Sequence, residues 1–255
     1  VGGRAEGGVT GPALSVVIPV HNEAGLLERS VAELCAGLDA MAIEYEVILA
    51  ENGSVDATPA LAAAISSALP RVRCFSIEAP NYGRALRLGI EQARGFWVIC
   101  EEIDLCDLDF HRRALALLRA GEAELVIGSK AMRGALDQRP LHRRLATRAY
   151  NLALRLTLGF RGTDTHGLKA MRRAALAPVV ARCIVDADVF ASELVIRAQR
   201  EGVRIREIPV ALAEKRAPSV HLLRRVPKVL RLLLRLWLSI HLGRAPASAR
   251  REGRR

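Results

Sequence analysis

Apolar and polar positions come in alternating blocks along the first half of the chain. LSVVIPV (14–20) is a short, β-branched apolar run that stops at a polar turn, the pattern of a strand buried on both faces. The pattern returns in EYEVILA (44–50), RVRCFSI (71–77), FWVIC (96–100) and AELVIGS (123–129). Between these runs lie HNEAGLLERSVAELCAGL, ENGSVDATPALAAAISSAL, NYGRALRLGIEQARG and DFHRRALALLRAG, with apolar residues at helical spacing. Asp56 and Thr58 are candidate caps with Pro59 in the first turn, and Gly95 is placed to end a helix. The alternation predicts an α/β domain, a mostly parallel sheet flanked by helices on both faces. Ligands of such sheets sit at the carboxyl ends of the strands. HNE, ENGS, APNYG and EEID all follow strand ends, so they are expected to converge on one cleft.

The second half reads as more helical. PLHRRLATRAYNLALRLTLG predicts one long helix, GTDTHGLKAM a loop, and MRRAALAPVVARC a helix interrupted at Pro178. DVFASELVIRAQREG predicts a helix and VRIREIPVAL a strand. In HLLRRVPKVLRLLLRLWLSIHLG, Arg224, Lys228, Arg231 and Arg235 follow at spacings of four, three and four, a single basic helical stripe. Leucines, valines, Ile240 and Trp237 fill the wide apolar remainder. Such a C-terminal amphipathic helix suits a membrane interface, with arginines reaching headgroups and Trp237 at the boundary. Packing on the core is the alternative. The expected division is a disordered tail over 1–12, the α/β domain over 13–216, the amphipathic helix over 217–243, and a basic disordered tail over 244–255.

Charge sharpens this division. The formal net charge is +11, and +10 of it lies from Arg216 onward. The body is nearly neutral and the tail strongly basic, which suits an anionic surface. Aromatics are only 4% of residues, too few for a base-stacking platform, so nucleic acid is not an expected partner. The five cysteines are scattered without a C-x-x-C pair, which argues against a zinc site and fits a reducing compartment. No run approaches the length of uncharged apolar sequence that a transmembrane helix needs, and VGGRAEGGVTGP has no signal-type apolar stretch.

The densest candidate chemistry is ICEEIDLCD (99–107), where Glu101, Glu102, Asp104 and Asp107 crowd into seven positions after a strand. Two carboxylates one residue apart on a turn can offer oxygens to one hard divalent cation; a solvated acidic turn is the alternative. HNEAG carries no Lys or Arg straight after the first strand, which counts against a nucleotidyltransferase phosphate loop.

LSVVIPVHNEAGLLERSV, VILAENGSVDAT, NYGRALRLGIEQARG and the acidic cluster, in this order, resemble the GT-A fold of family 2 glycosyltransferases. LVIGSKAMRG, PLHRRLATRAYN, GTDTHGLKAMRR and SELVIRAQREGVRIREIPV are similar to the dolichyl- or polyprenyl-phosphate hexose synthases within it, so the resemblance spans roughly residues 13 to 216. It implies a donor nucleotide held by Pro19, His21, Asn22 and Glu23, by the turn Glu51, Asn52, Gly53 and Ser54, and by Gly83 and Arg84. The family's Asp-x-Asp metal motif falls on Glu102 and Asp104, for Mg²⁺ or Mn²⁺, with Cys106 where some relatives place an amide ligand. Acceptor-phosphate residues fall on Ser129, Lys130, Arg143 and Thr147, with Arg133 and Arg144 as alternates and Arg148 and Arg155 as a solvated face. The loop with Asp164, His166, Gly167 and Lys169 closes on diphosphate and sugar in the family; a structural loop histidine is the other reading of His166. Asp104, Arg143 and Glu193 are the implied catalytic set, although Glu193 also reads as an ordinary acid in a helix's first turn. Asp188 and Glu193 are the candidates for a general base, should the acceptor be a hydroxyl.

The implied activity is inverting transfer of a hexose from a UDP- or GDP-sugar to a polyprenyl phosphate, at the cytoplasmic face of the plasma membrane. The enzyme would be held there peripherally by an anionic surface through residues 219–243. A hydroxyl acceptor, or a catalytically weak nucleotide-sugar binder, are the alternatives. Three departures bear on these: Glu102 for Asp, Glu51-Asn52 for two acids, and Lys130 for Arg.

Overall fold

A computed structural model describes residues 11–186, 188–212 and 222–242. The expected N-terminal tail over 1–12 lies almost wholly outside the described residues, as do residues 213–221 and the expected basic tail over 244–255.

The five strand-like runs form β1 (Leu14–Val20), β2 (Tyr45–Asn52), β3 (Val72–Ile77), β4 (Trp97–Cys100) and β5 (Leu125–Ser129). The helices between them are α1 (Leu27–Ala40), α2 (Thr58–Ala68), α3 (Tyr82–Gln92) and α4 (Leu108–Arg119). After β5 come β6 (Leu136–Asp137), α5 (Leu141–Leu158), β7 (Lys169–Arg172), α6 (Arg173–Arg182), α7 (Phe190–Arg200), β8 (Ile205–Pro209), β9 (Ala211–Leu212) and α8 (Leu222–Leu242). The main sheet runs β3-β2-β1-β4-β7-β5-β8, and a two-stranded sheet pairs β6 with β9. β1, β2, β3 and β4 are mutually parallel, as are β5 and β8.

All seven residues of β1 are buried, because helices cover both faces of the sheet. One face packs Val16, Ile18 and Val126 against Leu34, Leu38 and Phe110 from α1 and α4. The other packs Val17, Val98 and Ile127 against Leu86, Leu154, Phe190, Leu194 and Leu236 from α3, α5, α7 and α8.

Several expectations are corrected. Lys169–Arg172 is a strand, not the end of a loop; it runs antiparallel between β4 and β5. Four residues are too few to show a period in sequence. Pro178 lies inside an unbroken α6, and α3 ends at Gln92, ahead of Gly95. No side chain caps α2 at Ala57; the Asp56 carboxylate instead accepts from Thr58 N at 2.9 Å. Asn81 and Asp107 do cap α3 and α4, accepting from Arg84 N and Phe110 N. Gly159, in the left-handed region at φ +69°, ends α5.

α8 packs one face on the domain, burying Leu232, Leu236 and Ser239. Its other face leaves Leu230, Leu234, Trp237 and Leu238 exposed beside Arg231 and Arg235. The side chains of Arg224 and Lys228 lie outside the described residues. Among the described residues, no helix is long and apolar enough to cross a membrane.

Candidate active site

The ends of β1 and β2 and the start of α3 are tied together by their own polar groups. His21 Nδ1 is 2.8 Å from the Asn52 carbonyl oxygen, and Asn52 Oδ1 accepts from Asn81 N at 2.5 Å. Asn22 sits at φ +55°, a conformation asparagine tolerates. It accepts from Val55 N at 2.9 Å, while its own N–H donates to Ser54 Oγ at 3.0 Å. Glu51 is buried and accepts from Ser54 N at 2.6 Å. Gly53 has φ +62°, and a Cβ there would lie 2.7 Å from Pro80 N, so only glycine fits. Pro19 is an interior residue of β1, paired with Ala50. Glu23 is buried, its N–H donating to Thr58 Oγ1 at 2.7 Å; Gly83 is buried in α3 and Arg84 is exposed. The donor residues named from sequence therefore gather at one rim. Glu51 and Asn52 hold that rim's shape through their own oxygens.

The four acids of the neighbouring turn separate by geometry. Glu101 is fully buried behind the turn. Its Oε1 accepts from Glu102 N at 2.9 Å, and its Oε2 accepts from Asp107 N at 3.2 Å and lies 2.7 Å from His111 Nε2. His111 is equally buried, with Nδ1 unpaired. Asp107 is the α4 cap. Glu102 and Asp104 remain, both partly exposed at the carboxyl end of β4. Tyr82, from the first turn of α3, donates its hydroxyl to Glu102 Oε1 at 2.6 Å. Burial raises the Glu102 pKa, against the Tyr82 bond, and the charges of Asp104 and Glu101 push it the same way.

Crowded carboxylates are relieved by a cation, and two hard oxygen donors on one turn fit Mg²⁺ or Mn²⁺. No cluster of three or more His, Cys, Asp or Glu side chains suited to a metal occurs among the described residues. The remaining ligands would be water and phosphate oxygens, as is usual for Mg²⁺. Cys106, at φ +45°, directs Sγ toward the carbonyls of Ile103 and Ser30, at 3.6 and 3.9 Å.

Because β7 is antiparallel, its first residue lies at the same rim. Lys169 is buried there, its Nζ donating to Gly167 O at 2.7 Å, and burial lowers its pKa. Gly167 is pressed on β5: a Cβ would lie 1.7 Å from Gly128 O. Asp164 Oδ2 is 3.2 Å from Lys130 Nζ, and Oδ1 accepts from His166 N at 2.9 Å. Burial alone would raise the Asp164 pKa; the Lys130 ammonium and the His166 N–H and ring together outweigh it and hold the carboxyl below its usual range. His166 is solvent-accessible, with its ring edge-on to Tyr150 at 5.1 Å. Its crowded surroundings, then Lys130 and Lys169, favour the neutral imidazole, an effect that solvent access moderates.

Beside this loop a cavity of about 90 Å³ is lined by Lys130, Asp137, Arg139, Arg144, Thr147 and Arg148, among others. Arg139 is held by Asp137 at 2.8 Å. The side chains of Arg144 and Arg148 form no hydrogen bond or close ion pair with the described residues, although the Arg144 charge helps hold the Asp137 carboxyl below its usual range. Arg148, expected on a solvated face, belongs to this basic pocket, and Arg144 enters it where Arg143 was expected. One position along a helix turns a side chain by about 100°. Ser129 is fully buried and bonded to Thr163 Oγ1 at 2.7 Å, so it supports the pocket from beneath. Arg133 is exposed outside the pocket's lining.

Glu193 is the clearest correction. It is fully buried, accepting from Ile184 N, Val185 N, Arg197 Nε and Ser239 Oγ at 2.9, 2.7, 2.8 and 2.7 Å. It pins α7 to α8 and leaves no oxygen for the cleft. A larger cavity of about 440 Å³, between α7, β8 and the loop after α5, contains none of the expected site residues. Sequence reasoning missed Tyr82, the Glu101–His111 pair and Arg139. Only the position of Tyr82 inside NYG, next to Gly83, carried a signal.

This arrangement, with donor loops at the carboxyl ends of β1, β2 and β4 and an acidic turn at its centre, is the GT-A fold. The chain belongs to glycosyl transferase family 2, whose model matches residues 15–179. It is 32% identical over 232 residues to glycosyltransferase AglD of Haloferax volcanii, covering 89% of this chain and 37% of that protein. It is 30% identical over 210 residues to undecaprenyl-phosphate 4-deoxy-4-formamido-L-arabinose transferase of Pseudomonas fluorescens, covering 79% of this chain and 58% of that one. The chain thus spans between about a third and three-fifths of the length of these relatives. Among solved structures, it is similar to glucosyl-3-phosphoglycerate synthase from Mycobacterium tuberculosis in complex with Mn²⁺, UDP-glucose and phosphoglyceric acid. The TM-score is 0.63 at 25% identity, covering 90% of this chain and 80% of that one.

Proposed function

We propose that this chain is a metal-dependent, inverting hexosyltransferase that moves a sugar from a nucleoside diphosphate to a polyprenyl phosphate. The observation that carries the reading is the basic pocket of Lys130, Arg139, Arg144 and Arg148, set beside the loop of Asp164, His166 and Lys169. The guanidiniums of Arg144 and Arg148 make no hydrogen bond or close ion pair among the described residues, although the Arg144 charge acts on Asp137, and such groups suit an anionic acceptor. The Pseudomonas relative is named as an undecaprenyl-phosphate transferase, and the mycobacterial structure contains Mn²⁺ with a UDP-sugar.

In this reading the rim of His21, Glu51, Asn52 and Gly53 receives the nucleotide. Glu102 and Asp104 would hold Mg²⁺ or Mn²⁺, which when bound offsets the charge of the diphosphate. Lys169 and His166 face the diphosphate and sugar. Arg144, Arg148 and Lys130 orient the acceptor phosphate. One of its oxygens bonds to the anomeric carbon as the bond from that carbon to the diphosphate oxygen breaks, the electron pair leaving with the nucleoside diphosphate. A phosphate is already ionised near neutral pH, so no strong base is required. The engagement of Glu193 in the α7–α8 contact is consistent with that. A hydroxyl acceptor would need a base; Glu193 does not supply one, whereas Asp188, exposed and near Tyr150 and His166, is the candidate left for that role. The domain over 13–216 would carry the chemistry, and the segment over 219–243 would rest on an anionic membrane face through Arg231, Arg235 and Trp237.

The test is incubation with labelled UDP- and GDP-hexoses, polyprenyl phosphate and Mn²⁺ or Mg²⁺, followed by organic extraction. Label in the lipid phase that disappears with EDTA is the expected result. Nucleotide binding without transfer from any donor would point to a non-catalytic binder instead.

A further inference from the structure

α5 carries a feature that the pocket does not use. Leu141, Leu145, Leu152 and Leu156 are exposed to 71%, 60%, 53% and 79%. Their spacings of four, seven and four place them within about 60° of one another around the helix. The opposite face, with Asn151, Leu154 and Leu158, is buried in the domain. Single exposed leucines are ordinary; a row of four over four turns is not. Arg148 and Arg155, also exposed, run beside the row.

α8 repeats the design, with Leu230, Leu234, Trp237 and Leu238 exposed next to Arg231 and Arg235. The two helices touch: Tyr150 of α5 packs in one small cluster with Leu232 of α8. Neither helix contains an acidic residue, whereas α5 has four arginines and α8 has five basic residues.

We propose that α5 is a second membrane-binding element that docks on an anionic bilayer, so that the basic pocket opens at the lipid surface. Charge decides among occupants. A second copy of the chain would bring arginine rows against arginine rows with no acid in either helix, an unfavourable pairing. An anionic bilayer offers acyl chains to the leucines and phosphates to the arginines at once. Thr147 and Arg148 of the pocket lie between Leu145 and Leu152 in the same helix. A lipid-borne phosphate would therefore reach Arg148 without leaving the membrane interface. The inference rests on the acceptor reading only for that last step; the docking itself does not depend on it.

The test is flotation of the full chain with vesicles of phosphatidylcholine alone, or mixed with phosphatidylglycerol, without sugar donor. The expected result is binding to the anionic vesicles that falls at least about tenfold in Leu145→Ser/Leu152→Ser, with α8 intact and the melting temperature unchanged. Arg155→Glu, outside the pocket, should weaken binding to anionic vesicles by a smaller factor. Equal flotation of wild type and the serine double variant would overturn the proposal. So would a concentration-dependent dimer that the serine substitutions dissolve, since that assigns the leucines to a second copy. A water-soluble, short-chain isoprenyl phosphate assays transfer without a bilayer, so failure of docking and failure of the acceptor reading give different results.

Discussion

On the donor side of the cleft, each polar loop is bonded to the next. Asn52 accepts from Asn81 N, Asn22 bridges to Ser54 and Val55, Glu101 fixes the acidic turn, and Tyr82 reaches Glu102. On the proposed acceptor side, the guanidiniums of Arg144 and Arg148 make no hydrogen bond to the described residues, while Arg139 and Lys130 are ion-paired with Asp137 and Asp164. One side is preorganised for a small ligand of fixed shape. The other concentrates charge on a helix whose outer face is apolar. The contrast suits a donor that diffuses in and an acceptor that arrives already held in a surface.

Substitutions can break this contrast or sharpen it. The largest effect is expected at the centre of the donor side. Asp104→Asn should lower transfer by roughly a hundredfold or more, the scale seen when one electrostatic group is removed from a reacting site. Glu102→Gln should cost less, because one of its oxygens already serves Tyr82. Equal loss in the two, measured by lipid-phase label, would mean they share the metal evenly.

Next is Lys130→Ala, which crosses the boundary between the halves. It strips the partner from Asp164, which is 1% exposed, and should cost about 3 kcal/mol in urea unfolding. Arg144→Ala should raise KM for the acceptor by roughly tenfold, the value of one charge-assisted hydrogen bond. It should leave nucleotide affinity by calorimetry unchanged. A parallel loss of donor affinity would erase the distinction between the two sides.

The smallest effect concerns pH. The Asp164 pKa is lower in the folded chain than in the unfolded one. Its stabilising contribution is therefore complete above the unfolded carboxylate value of about 3.9, and is lost as pH falls through the folded value. Melting temperature followed from about pH 5 downward should drop less steeply in Asp164→Asn than in the wild-type protein.

The strands were legible because buried parallel strands write themselves as β-branched apolar runs, and the convergence of HNE, ENGS and EEID followed from strand direction alone. β7 was not legible, since Lys169–Arg172 is short and its partners, Cys100 and Ile127, are far off in sequence. In the site, sequence narrowed four acids to Glu102 and Asp104, but it could not show that Glu101 braces the turn through His111, ten residues on. Glu193 misled because an acid in a helix's first turn looks alike whether it faces a cleft or, as here, Arg197 and Ser239. Arg143 and Arg144 are neighbours in sequence yet differ in the side of α5 they occupy. That choice depends on helix rotation, which a motif does not fix.

Lys169 is paired with Cys100 on one side and Ile127 on the other. One residue of one strand thus sets the spacing between the β3-β2-β1-β4 half and the β5-β8 half of the sheet. A slip of a single position in β7 would turn Lys169 to the opposite face and break both ladders together. In the proposed reaction the two substrates would therefore meet across a span that neither half can adjust alone. Changes of sugar or acceptor are better sought in the loops that reach over this gauge than in the strand that keeps it.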